Sequence, residues 1–215
     1  MSTKTPANFY FDPVSPFAFL MWKRLREDDF GLEIRPVPVL LGALLNHWGL
    51  IGPAEVPPKR AQTYRMSQWL ADRNGIVLRF PDTHPFRSVE ALRLLIALDA
   101  RADAVDAVFG AVFAQGRDLT DGAELEMLGG ELGLSDVQDR IASADVKEGL
   151  RANTEAAIAH GVFGVPTLAI GEELFWGFDT LDMVRDYLAD PKLFQTAEMQ
   201  RLGTLDYGVP RRTES

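Results

Sequence analysis

Cysteine is absent from this sequence of 215 residues. The chain can therefore form no disulfide, and it has neither a thiol nucleophile nor a thiolate metal ligand of its own. A disulfide oxidoreductase needs a reactive thiol, so that class of enzyme is excluded. Any sulfur chemistry at this protein must come from a bound ligand.

The sequence also lacks an excess of basic residues. Lysine and arginine number 22 against 31 acidic residues, which gives a formal net charge of −9 at pH 7. Nucleic-acid binding favours a basic face, and the Arg211–Arg212 pair is too small to form one. We therefore expect no nucleic-acid partner.

Long apolar runs are missing as well. No uninterrupted apolar segment approaches the roughly 20 residues that a membrane-spanning helix needs. The first residues, 1–7, lack the apolar run of a secretory signal peptide. The sequence therefore predicts no membrane partner and a cytoplasmic protein.

Histidine is scarce and scattered. The three histidines, His47, His84 and His160, are far apart, and no H-x-x-x-H spacing occurs. Because cysteine is also absent, this distribution predicts no metal site.

The first motif with chemical content surrounds Ser15. Residues 9–11 are aromatic and favour a buried strand, which Pro13 ends. Ser15 is a good helix N-cap, and Pro16 suits the first helical position. A hydroxyl then stands near unpaired N–H groups and the positive end of a helix dipole. That position suits an anion or a thiolate; the alternative is that Ser15 only caps the helix.

The order of the elements predicts an α/β fold. Strand, helix and strand occupy residues 9–37, helical patterns follow, and two short strands and a closing helix come last. This βαβ…ββα order is the layout of a thioredoxin-like fold with a large all-helical insertion. We predict a discontinuous thioredoxin-like domain at 7–38 and 162–202, a helical insertion domain at 39–161 and a C-terminal tail at 203–215. The cleft between the two lobes is the expected ligand site.

Prolines and capping residues set several predicted boundaries. Residues 32–37 are predicted as the second strand, which Pro36 and Pro38 end. Three N-caps are predicted in the helical region: Asp121, Ser135 and Asp145.

Five segments make the sequence resemble a known family. They are F-D-P-V-S-P-F at 11–17, P-V-P-V-L-L-G at 36–42, P-P-K at 57–59, G-V-F-G-V-P-T at 161–167 and L-F-W-G-F-D at 174–179. Over nearly its whole length the chain resembles the 2-hydroxychromene-2-carboxylate isomerases. These glutathione-dependent enzymes are related to kappa-class glutathione transferases and, more distantly, to disulfide-forming oxidoreductases of the thioredoxin superfamily.

The resemblance implies a glutathione site around Ser15. In that family the serine that matches Ser15 hydrogen-bonds the glutathione sulfur and stabilises its thiolate. Val165–Pro166 looks like the family's cis-proline, which turns the N–H and C=O of Val165 outward to pair with the tripeptide. The alternative is a trans proline at a strand edge.

Charged and aromatic residues complete the implied glutathione site. Asp179 matches the position that holds the γ-glutamyl end, and Lys59 matches a lysine that meets the glycyl carboxylate. Phe178, in the same segment as Asp179, is included in the predicted site. The alternatives are an N-cap role for Asp179 in the last helix and ordinary solvation for Lys59.

Two positions depart from the family's pattern. Leu50 stands nearest to the family's glutathione-contacting asparagine, and Met66 stands near the position of an acidic residue. Asn46 is a candidate substitute for the asparagine. His47 and Trp48 are candidates for binding an aromatic substrate in the cleft, with burial in the core or at its rim as the alternative.

The resemblance thus implies a glutathione-dependent cis–trans isomerase of the 2-hydroxychromene-2-carboxylate type, or a related kappa-like glutathione transferase. The implied substrate is an aromatic unsaturated 2-oxo acid, which reacts through reversible thiolate addition. Relatives are often dimers, so a homodimer is expected by analogy alone. The alternative is a non-catalytic protein on the same fold that binds glutathione or a small acid, which Leu50 and Met66 favour.

Overall fold

The computed structural model describes residues 4–206 and 208. The described chain forms two compact units, the first ending at Asp179 and the second beginning at Thr180. The strands of the first unit are β1 (Thr5–Phe11), β2 (Leu32–Pro38), β3 (Thr167–Ile170) and β4 (Glu173–Trp176). Its helices are α1 (Pro16–Glu27), α2 (Leu41–His47), α3 (Pro57–Arg73), α4 (Val89–Ala97), α5 (Ala102–Phe113), α6 (Gly122–Glu131), α7 (Val137–Ala142) and α8 (Ala144–Ala159).

The four strands form one sheet in the order β2-β1-β3-β4. β1 and β2 are parallel, with Thr5 opposite Leu32, and α1 connects them. β3 runs antiparallel to both neighbours, with Tyr10 of β1 opposite Thr167. The predicted class, a thioredoxin-like α/β fold with a helical insertion between its second and third strands, is confirmed. The predicted domain boundaries remain predictions.

The aromatic residues of β1 build the core beneath the site. Phe9 and Phe11 are fully buried, and their rings stack at 5.3 Å between centroids. Phe109 of α5 packs on Phe11 with the same centroid separation. A central strand covered by helices favours such large apolar side chains, so β1 is fixed by burial as well as by its hydrogen bonds.

The prediction that Pro36 ends the second strand was wrong. β2 continues through Pro38, with Pro36 opposite Phe9 of β1. Because β2 lies at the edge of the sheet, a residue without an N–H costs the ladder little there.

The second unit contains two α-helices and a 3-10 turn in its described part. These are α9 (Leu181–Ala189), the turn Leu193–Gln195 and α10 (Ala197–Leu202). The ring of Tyr187 stacks on that of Phe194 at 5.6 Å. Most of the tail predicted at 203–215, including Arg211 and Arg212, lies outside the described residues.

Among the residues described, no helix combines the length and the apolar composition needed to cross a membrane.

Candidate active site

Ser15 occupies the N-cap position of α1, as predicted. The residue is 7% exposed, and its Oγ accepts a hydrogen bond from the N–H of Ala18 at 3.2 Å. Within residues 4–206, the Ser15 hydroxyl hydrogen has no acceptor and the N–H of Phe17 has no partner. The capping bond therefore leaves a hydroxyl donor and a helix N–H available to an anion.

Asp12 is a buried carboxyl group that sequence analysis did not single out. It is 1% exposed, and its two oxygens accept from the N–H groups of Val14 and Leu41, both at 3.0 Å. Asp12 therefore ties the turn before Ser15 to the segment that begins α2. Burial raises the pKa of Asp12 above its usual value, and the hydrogen bonds from Val14 and Leu41 oppose that rise.

The raised pKa of Asp12 predicts a pH-dependent stability. The folded chain holds the proton to a higher pH than the unfolded chain, whose Asp titrates near about 3.9. The contribution of Asp12 is therefore full below that pH and falls as the pH rises through the folded-state pKa. We expect the unfolding free energy of wild type, minus that of Asp12→Asn, to decrease over this window in urea titrations. A difference that does not change with pH would contradict this.

The Val165–Pro166 peptide bond is cis, as predicted. β1 ends at Phe11 and the antiparallel β3 begins at Thr167. The Ser15 turn and Val165 therefore lie at the same end of the two central strands. In the described part of the chain, neither the N–H nor the C=O of Val165 forms a hydrogen bond. The C=O of Pro166 is already used, since it accepts from the N–H of Gly177 at 2.9 Å. An extended ligand can therefore pair with the main chain at Val165.

The structure joins Trp48 to the segment before Pro166. The indole N–H of Trp48, just after α2, donates to the C=O of Val162 at 3.0 Å. Trp48 is nevertheless 44% exposed, and the His47 ring meets the Trp48 ring edge-on at 5.0 Å. Burial of these two residues in the core is therefore wrong, and a place at its rim stays the alternative to a substrate contact. Asn46 is also exposed.

The two charged candidates lie at the surface. Lys59 is exposed in the first turn of α3, and Asp179 is exposed in a 3-10 turn at Phe178–Thr180. Neither forms an ion pair with another described residue. Phe178 is half-buried, and the N-cap position of α9 is Thr180. No hydrogen bond between described residues links Lys59 or Asp179 to the Ser15 turn, so both charges remain available to a ligand.

The departures from the family pattern are both at the surface. Leu50 and Met66 have exposed side chains, as do Asn46 and His47. Among the residues that the structure describes, no group of three histidine, aspartate or glutamate side chains could hold a metal ion.

Comparison with known proteins defines the class of this fold and site. The DSBA-like thioredoxin domain matches residues 7–189, so the chain belongs to the DsbA-like thioredoxin family. Within it, the chain belongs to the 2-hydroxychromene-2-carboxylate isomerases, a family of isomerases. It is 34% identical to the 2-hydroxychromene-2-carboxylate isomerase of Pseudomonas putida over 187 residues, which cover 82% of this chain and 91% of the relative.

Two further comparisons agree with this family. A solved structure of 2-hydroxychromene-2-carboxylate isomerase matches with a TM-score of 0.78 and 29% identity, covering 90% of this chain and 98% of that one. Glutathione s-transferase kappa 2 of Caenorhabditis elegans is 24% identical over 213 residues, which cover 89% of this chain and 95% of the relative.

Proposed function

We propose that this protein is a glutathione-dependent isomerase of 2-hydroxychromene-2-carboxylate or of a related aromatic 2-oxo acid. The observation that carries the proposal is the buried Ser15 hydroxyl at the N-terminus of α1, whose hydrogen has no acceptor among the described residues, in a chain without cysteine. A thiolate borrowed from a ligand matches that donor. The kinship with isomerases and with a kappa-class transferase supports the same conclusion.

The residues present fit glutathione. Val165 offers to the peptide of the ligand a main-chain N–H and C=O that no described residue hydrogen-bonds. Lys59 carries the charge that attracts the glycyl carboxylate, and Asp179 carries the charge that attracts the γ-glutamyl ammonium group. Phe178, next to Asp179 and half-buried, adds apolar surface at that end.

The role proposed for Ser15 is to hold a negative sulfur. Its hydroxyl donates to the thiolate, and the N–H of Phe17 and the positive end of the α1 dipole favour the same charge. Because Ser15 is nearly buried, these interactions act at lower dielectric than in water and lower the pKa of a bound thiol. When bound, glutathione would supply the nucleophile that adds reversibly to the conjugated double bond and so permits rotation about it.

Trp48 and His47 are proposed to hold the aromatic part of the substrate. They form an exposed aromatic pair, and the hydrogen bond from Trp48 to Val162 fixes one ring next to the cis-proline segment. Aromatic rings bind well to such faces. Asn46, one residue before this pair, is proposed as a polar contact in place of the family's asparagine.

The test of the function is an absorbance assay on 2-hydroxychromene-2-carboxylate with and without glutathione. We expect turnover with glutathione and none with S-methylglutathione, which cannot form a thiolate. Equal turnover without glutathione would overturn the proposal.

Leu50 and Met66 favour a second candidate, a binding protein without catalysis, since the family's polar groups are missing there. Calorimetric titration separates the two functions. Heat on adding glutathione, with no turnover in the absorbance assay, would establish the binding protein instead of the isomerase.

Lys59→Ala is expected to raise the KM for glutathione about fivefold with little change in kcat, because an exposed charge pair contributes up to about 1 kcal/mol to binding. The measurement is turnover against glutathione concentration. Lys147→Ala, which removes an exposed lysine of α8, is the matched control and should leave both constants unchanged. An unchanged KM in Lys59→Ala would remove Lys59 from the site.

A further inference from the structure

The peptide group that joins Val14 to Ser15 is held on both of its polar edges. The N–H of Ser15 donates to the C=O of Asp12 at 3.0 Å, and the C=O of Val14 lies 2.7 Å from Nε2 of His84. A peptide group is planar, so contacts at its N–H and C=O fix the orientation of the plane. That plane contains the Cα of Ser15, so holding it fixes the point from which the Ser15 side chain leaves the main chain.

The contacts of His84 define which nitrogen carries the proton. A carbonyl oxygen only accepts, so Nε2 must donate to Val14. Nδ1 lies 2.9 Å from the hydroxyl of Tyr64, which also lies 2.7 Å from the C=O of His84 itself. Burial lowers the pKa of His84, which favours the neutral ring, although the bond to Val14 opposes that fall. The neutral ring therefore carries its hydrogen on Nε2 and has a bare Nδ1. The Tyr64 hydroxyl has one hydrogen, which it donates to the C=O of His84, and its oxygen also lies against Nδ1, so Tyr64 contacts both the main chain and the ring of His84.

Aromatic side chains hold the His84 ring in place. Tyr64 of α3 and Phe80 both meet it edge-on with centroids 5.2 Å away, and Phe113 of α5 lies at 6.0 Å. These rings come from three separate segments and leave His84 half-buried. Hydrogen bonds in such surroundings are stronger than in water.

We infer that His84 and Tyr64 are positioning residues for the Ser15 hydroxyl. His84 holds the carbonyl of Val14, and the Tyr64 hydroxyl, in contact with both the C=O and Nδ1 of His84, holds His84 in place. Both act through Ser15 and not on the reacting atoms. The inference rests on the proposed function, in which the direction of the Ser15 hydroxyl decides how well a thiolate is held.

The first test is kinetic, with Tyr64→Phe and His84→Ala. A displaced Ser15 hydroxyl is expected to lower kcat about 10- to 100-fold with the KM for glutathione unchanged. Made in a Ser15→Ala background, the same substitutions should cause no further loss, because the group that they position is gone. An additive loss in that background would overturn the inference. Tyr64→Phe keeps the ring and serves if His84→Ala does not fold.

Tyr10→Phe is the matched control for Tyr64→Phe. The Tyr10 hydroxyl lies 3.3 Å from Nδ1 of His160, which is the same kind of contact elsewhere in the first unit. Its kcat should equal that of wild type. An equal loss in both variants would show a general effect of removing a tyrosine hydroxyl and would overturn the inference.

The second test does not depend on turnover. Amide hydrogen exchange should become faster at Ser15 in Tyr64→Phe and stay unchanged at Val39, whose N–H donates to the C=O of Phe11 at 2.9 Å. Faster exchange at Ser15 in a protein that shows no glutathione-dependent turnover would refute the proposed function and leave the positioning role intact. If the wild-type protein shows glutathione-dependent turnover, and Tyr64→Phe has the same kcat and the same exchange rate at Ser15, the positioning role alone is refuted.

Discussion

Ser15→Ala is expected to lower kcat about 100-fold, the loss typical of removing one donor to a developing or bound anion. The alanine keeps α1 in place but removes the hydroxyl that is proposed to hold the thiolate. It also removes the bond to the N–H of Ala18, which should lower the unfolding free energy by about 1 kcal/mol. The fold should therefore survive while the reaction is slowed. The measurements are turnover at saturating glutathione and urea unfolding of the same preparation.

Asp121→Ala separates the chemical effect from the capping effect. Asp121 is the N-cap of α6 and accepts from the N–H of Ala123 at 2.8 Å, so its loss also removes one capping bond. We expect a similar loss of stability and no loss of turnover. If Ser15→Ala retains the wild-type rate, or if Asp121→Ala is equally slow, the role proposed for Ser15 is wrong.

Asp12→Ala is expected to lower the unfolding free energy by about 3 kcal/mol. The substitution leaves the N–H groups of Val14 and Leu41 without their acceptor, at about 1–3 kcal/mol each where they are buried. It also removes a carboxyl group whose burial is itself unfavourable, which offsets part of that loss. Because Asp12 closes the turn before Ser15, turnover should fall as well. Urea titration gives the free energy, and circular dichroism confirms that the variant folds.

Asp29→Ala is the matched control for Asp12→Ala. Asp29 accepts from the N–H of Gly31 at 2.9 Å. This contact with the N–H two residues on is the same as that between Asp12 and Val14, but it lies at the surface. Water can replace that bond, so the loss should stay below about 1 kcal/mol. Equal losses of unfolding free energy in the two variants would mean that the buried contacts of Asp12 stabilise the fold no more than the surface contact of Asp29.

Local patterns were enough to predict the elements that carry the site. The aromatic run before Pro13 and the Ser15-Pro16 pair predicted a strand followed by a capped helix, and both are present. The G-V-F-G-V-P-T segment supplied the cis peptide bond at Pro166 through family resemblance. In each case the information lies within a few neighbouring residues.

Contacts between distant segments could not be predicted in this way. Asp12 binds Leu41, 29 residues away, and His84 binds Val14 at a separation of 70 residues. Asp12 followed by Pro13 indicates a local turn. This pair of residues does not indicate that the second carboxyl oxygen of Asp12 accepts from the N–H of Leu41. The scattered histidines indicate only that a metal site is absent from the sequence pattern. The contact of His84 with Val14 depends on how α3 and the segment before α4 pack beside the Ser15 turn.

Helix starts in the insertion show the same limit. Asp121 was predicted correctly as an N-cap, but the N-cap positions of α7 and α8 are Asp136 and Ser143, in place of Ser135 and Asp145. Several neighbouring residues in each segment can cap a helix, and the packing of the helices decides which of them does.

The most direct measurement is the pKa of the glutathione thiol bound to wild type and to Ser15→Ala, followed by the ultraviolet absorbance of the thiolate. The proposed site predicts that the bound thiol of wild type has a pKa well below the value of roughly 8.5 for a free thiol. In Ser15→Ala the pKa should return toward that value. The same pKa in both proteins, or a wild-type value equal to that of the free thiol, would contradict the role proposed for Ser15.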